Sequence, residues 1–120
     1  MGYRSEVKSL VYGEPAAMAK FKSDNAELIE ALNADFGSDL TQVNNGSYEL
    51  IYLDLPYGKW YDSYSEVKRW NNLLSLANEA ELITEFVRIG EDSTGDIEQD
   101  YSLAECKYYL SVNCSINANF

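Results

Sequence analysis

Residues 48–55, Tyr-Glu-Leu-Ile-Tyr-Leu-Asp-Leu, put apolar side chains on both faces of an extended chain: Leu50 and Tyr52 on one, Ile51, Leu53 and Leu55 on the other. A strand apolar on both faces belongs in the interior of a sheet rather than at its rim. Asn44-Asn45-Gly46 just before it is a hairpin turn signal, so a short strand over 39–44 is its expected partner. Pro56-Tyr57-Gly58 is expected to break the strand.

Helical periods alternate with such strands. Tyr3, Val7 and Val11 mark a first strand over 3–12, with Arg4, Glu6 and Lys8 mostly on its other face. Pro15 opens a helix carrying Met18 and Phe21, with Ser23 or Asp24 able to cap a new turn. Leu28, Ile29, Leu32 and Phe36 form a core-facing stripe that Gly37 closes. Ser63-Tyr64-Ser65-Glu66 reads as a capping box ahead of a second long helix striped by Val67, Trp70, Leu73, Leu74 and Ala77. Ile83 to Ile89 is a strand, Gly90 to Gly95 a polar loop, Asp96 to Tyr101 a short edge strand. Cys106 to Ile116 alternates strictly and reads as one last long strand. These elements predict a single α+β domain over residues 1–120: a two-layer sandwich, mainly antiparallel, with helices on one face and a split βαβ relationship.

Charge is concentrated late in the chain. Residues 79–105 hold nine carboxylates (Glu79, Glu81, Glu85, Glu91, Asp92, Asp96, Glu98, Asp100, Glu105) and one cation, Arg88, within a chain of net charge −11. Such a chain repels phosphates, so direct binding of nucleic acid is not expected. No apolar run approaches the roughly 20 residues a membrane helix needs, and the first residues carry no signal-peptide pattern, so a cytoplasmic location in a host cell is expected. Sixteen aromatic residues, ten of them Tyr, set the chain apart from disordered acidic tails.

Histidine is absent, which removes His-dependent triads and the HExxH zinc site. Dinucleotide, P-loop and nucleophile-elbow motifs are missing as well. No enzyme activity, cofactor or metal is expected. Cys106 and Cys114 would lie about 26 Å apart on one continuous strand, so both are expected as reduced, buried thiols.

Two surfaces remain as candidates. Glu91, Asp92, Asp96, Glu98 and Asp100 lie on a loop and an edge strand; the last three alternate, about 6.6 Å apart, and are expected to be exposed. A row of fixed carboxylates can dock on a Lys/Arg patch or imitate the charge of nucleic acid. The segment 57–64, with Trp60, Tyr61 and Tyr64, is an aromatic interface candidate, or else a staple closing the core edge.

Tyr3-Arg4-Ser5-Glu6-Val7, Lys59-Trp60-Tyr61-Asp62-Ser63-Tyr64 and Phe86-Val87-Arg88-Ile89-Gly90-Glu91-Asp92 followed by Asp96-Ile97-Glu98 resemble stretches of small phage and prophage accessory proteins. The resemblance implies a phage source and brings no catalytic residues. It joins the charge pattern in one expectation: a non-enzymatic protein that binds a host or phage protein with a basic surface, in its most concrete form an anti-defence, anti-CRISPR-like inhibitor. The alternative is a cation-binding module or small metal-dependent enzyme built on the same carboxylates.

Overall fold

Strand β1 (Ser5–Gly13) is the middle of a five-stranded antiparallel sheet. The computed structural model describes residues 3–91, 96–102, 109–113 and 115–120. Val7 and Val11 of β1 face one core, Leu10 and Tyr12 a second on the opposite side, and all four are fully buried. Glu6 and Lys8 are polar only where β1 begins.

The chain continues through α1 (Pro15–Asp24), α2 (Ala26–Phe36), β2 (Leu40–Asn44), β3 (Glu49–Gly58), α3 (Ser65–Glu79), β4 (Ile83–Gly90) and β5 (Ile97–Tyr101). Sheet order is β2-β3-β1-β4-β5. β3 therefore separates β1 from β2, and β1 separates β3 from β4: two interlocked split βαβ units with β5 added outside. The α+β architecture, with helices on one face of an antiparallel sheet, is the expected one. Met18, Phe21, Leu32, Trp70, Leu73 and Ala77 bring the helices onto Val7, Val11, Ile51 and Leu53. Each fully buried large aliphatic or aromatic side chain here contributes about 1.5–3 kcal/mol.

Several local expectations need correction. β3 runs through Pro56 to Gly58, because Val7 pairs with Leu55 and Ser5 with Gly58, leaving Pro56 and Tyr57 opposite Glu6 alone. That bulge tolerates a residue without an N–H. The first helix does break, but at Asn25, whose side-chain Nδ2 donates to the Phe21 carbonyl at 3.0 Å; Ser23 and Asp24 stay in the last turn of α1. The capping box is not made: α3 starts at Ser65, with Tyr64 as an N-cap lacking a side-chain bond. A turn closed by the Tyr64 N–H on the Tyr61 carbonyl, with the two rings 5.1 Å apart, moves the helix start past Ser63. Gly37, at φ 56°, closes α2 as expected.

The long last strand is instead a hairpin. β6 (Leu110–Asn113) and β7 (Ser115–Ala118) pair with Leu110 opposite Ala118 and Asn113 opposite Ser115. The pairing of Val112 with Ile116 and Leu110 with Ala118 keeps Leu110 and Ile116 on the same face, so strict alternation fits a hairpin as well as a strand. Both residues are buried against Leu10, Tyr12, Leu50 and Val87, covering the face of the sheet away from the helices. Cys106 and Cys114 lie outside the described residues.

Candidate functional site

Antiparallel register carries Glu98 opposite Arg88 and Asp100 opposite Phe86. On this helix-side face, beyond the packed core, α3 presents Asn71 and Leu74, and the segment before α3 presents Trp60, Tyr61 and Asp62. Together with Tyr3 these residues line an open cleft of about 420 Å³ that also contains Asp96, Glu98 and Asp100. Its lining includes four carboxylates against one guanidinium, a net −3.

Arg88 organises the acidic wall. Its Nη2 lies 2.5 Å from Asp96 Oδ1 and 2.7 Å from Glu98 Oε1, and its Nη1 donates to Ser5 Oγ at 3.0 Å. Tyr3 Oη donates to Asp96 Oδ2 at 2.6 Å, and the Tyr3 N–H donates to the Tyr61 hydroxyl. The Arg88 hydrogen bond, then the one from Tyr3, hold the Asp96 carboxyl below its ordinary value of 3.8. Arg88 is raised, first by Asp96 and then by Glu98, against the cost of desolvation. Gly90 permits this arrangement, since a β-carbon there would collide with Asp96 Oδ2 and Tyr3 Oη.

The expected row of free carboxylates is thus only partly present. Asp96 and Glu98 are shared with a cross-strand arginine whose side chain is 12% exposed. Asp62 and Asp100 are exposed and, among the described residues, have no cation paired with them. Trp60 is partly buried: it stacks on Phe36 at 6.2 Å and meets Phe86 at 5.9 Å. It therefore closes the core edge and walls the cleft at once.

Of the candidate residues, Asp96, Glu98, Asp100, Trp60 and Tyr61 come together. Glu91 does not join them; its carboxylate accepts the Arg4 backbone N–H at 2.6 Å beside a recess lined by Tyr57. Tyr64 faces another hollow with Arg4, Asp35 and Phe36, and Asp92 lies outside the described residues. Sequence reasoning missed Tyr3, Asp62 and Asn71. The available signal was Arg88, the lone cation of the acidic run.

Glu85, one of the nine carboxylates of residues 79–105, is not part of the cleft. It is fully buried on the opposite face, where it accepts the Tyr12 hydroxyl and the N–H groups of Tyr109 and Leu110. No group of three or more carboxylates or cysteines among the described residues is placed to hold a metal ion. Between Asp96 and Glu98 the guanidinium occupies the position a cation would take. No described helix is long and apolar enough to cross a membrane. The chain matches no protein family, no curated protein and no solved structure.

Proposed function

We propose that this is a non-catalytic binding protein that docks a basic segment of a partner protein in the cleft between β5 and the loop before α3. The observation that carries the reading is the meeting of two sequence-distant surfaces, the aromatic Trp60–Tyr61 wall and the acidic face of β5, around one concave site. Aromatic side chains supply contact area with little rotamer entropy to lose, and the uncompensated Asp62 and Asp100 supply attraction and steering. The position of Arg88 disfavours the cation-binding alternative, because a divalent ion would have to displace a guanidinium held by two carboxylates.

The resemblance to phage accessory proteins supports a setting in which the partner is a host or phage protein with a basic, nucleic-acid-binding surface. An inhibitor of a nucleic-acid-guided defence complex, acting in the host cytoplasm, is the concrete form of this reading. Immobilised protein is expected to capture nucleic-acid-binding proteins from a bacterial lysate. Heparin should release them, and an Asp62→Asn/Asp100→Asn variant should retain few. Capture indifferent to both heparin and the double substitution would sink the reading.

A further inference from the structure

β5 is the outermost strand of the sheet: it pairs with β4 on one side and, among the described residues, with no strand on the other. Residues 97–100 are exposed throughout. Open strand edges invite another strand, and proteins guard them with charge. The sequence here, Ile-Glu-Gln-Asp-Tyr, guards with carboxylates alone. Such an edge repels a second copy of itself, since like charges directly opposite destabilise a strand pair. It does not repel a cationic strand.

Glu98 and Asp100 stand on the cleft side, two residues and about 6.6 Å apart. A strand added to this edge continues the same pleat, so every second side chain of it would stand beside these carboxylates. We infer that the segment recognised is an extended strand with Lys or Arg at alternate positions, pairing with the outer edge of β5 and laying its cationic side chains beside Glu98 and Asp100. Backbone pairing supplies general affinity and the alternate side chains supply selectivity. The aromatic wall at Trp60 and Tyr61 adds contact area beside those cationic side chains. This inference rests on the reading that the cleft receives a basic segment.

Titration calorimetry of the full chain with two synthetic peptides of equal composition tests it. One peptide alternates lysine with threonine; its isomer gathers the same lysines into one block. The alternating peptide is expected to bind about tenfold tighter. N-methylation of its amides at one parity should abolish binding, and at the other parity should not. Equal affinity of the two isomers, both weakened by Asp62→Asn/Asp100→Asn, would overturn strand pairing while leaving the cleft reading intact. Indifference to N-methylation at either parity would also overturn strand pairing. Failure of both peptides to bind would overturn the inference and the reading beneath it.

Discussion

The Leu110 N–H donates to Glu85 Oε1 at 2.9 Å, at a point where the glutamate is fully buried in the middle of β4. Oε2 of the same carboxylate accepts the Tyr109 N–H at 3.1 Å and the Tyr12 hydroxyl. An acidic side chain on the sheet is thus the fastening for the C-terminal hairpin. Removing it takes the acceptor from the buried Leu110 N–H and the partly buried Tyr109 N–H, at about 1–3 kcal/mol for a buried donor left unsatisfied. Glu85→Ala is expected to destabilise the protein by about 3 kcal/mol or more in urea unfolding. Glu85→Gln, which retains one oxygen acceptor, should lose less. A change below about 0.5 kcal/mol in Glu85→Ala would refute the fastening role.

Asp96 makes stability depend on pH in a definite direction. Arg88 first, and Tyr3 second, lower its folded pKa below 3.8. A carboxyl depressed by folding contributes stability that is fully present above its unfolded value and is lost as pH falls through the folded value. The contribution should therefore be intact at neutral pH, begin to fall near pH 3.8 and be lost only as pH drops through the lower folded value. Acid titrations of unfolding should show a shallower loss in Asp96→Asn than in the parent chain; parallel curves would contradict the assignment.

Within the cleft, binding and folding fall on different residues. Arg88→Ala strands Asp96 and Glu98 and empties a largely covered site, with an expected cost of about 2 kcal/mol. Asp62→Asn and Asp100→Asn touch exposed groups with no paired cation among the described residues and should change stability by less than about 0.5 kcal/mol each. These two are the substitutions that separate partner binding from folding. Reversing Asp96 or Glu98 would confuse the two by expelling the guanidinium. Thermal melts of the single variants check the division.

Helix α1 begins at Pro15 with Glu14 as N-cap, in extended geometry at φ −61°, ψ 150° and with no side-chain cap bond. A shorter oxygen-bearing side chain there can reach the free N–H groups of the first turn. Glu14→Ser is expected to stabilise the chain by about 1 kcal/mol, raising Tm by about 4 °C. An unchanged or lower Tm would show that the first turn is already satisfied.

The elements legible in the sequence were those whose signal is local. The Leu28–Phe36 and Val67–Ala77 stripes, the two-faced strand at 48–55 and the polar edge at 96–101 each depend on a period within a few residues. Features that depend on a distant partner were not legible. The bulge at Pro56 and Tyr57 exists only relative to Glu6, and the hairpin reversal preserves the parity that alternation reports. The cleft needs Tyr3 beside Asp96, 93 positions away, and Glu98 in register with Arg88. Glu85 was counted only as one of nine carboxylates, because its burial depends on donors from Tyr109 and Leu110, 24 and 25 positions away.

The central position of β1 sets a schedule for synthesis. Its neighbours in the sheet, Glu49–Gly58 and Ile83–Gly90, are translated long after it. At about 5–20 residues per second, Gly90 follows Gly13 by roughly 4–15 s. During that interval Val7, Leu10, Val11 and Tyr12 have no sheet partner on at least one side. Exposed apolar side chains and an unpaired strand edge are prone to aggregate during such a wait. The middle of this sheet is made first and completed late.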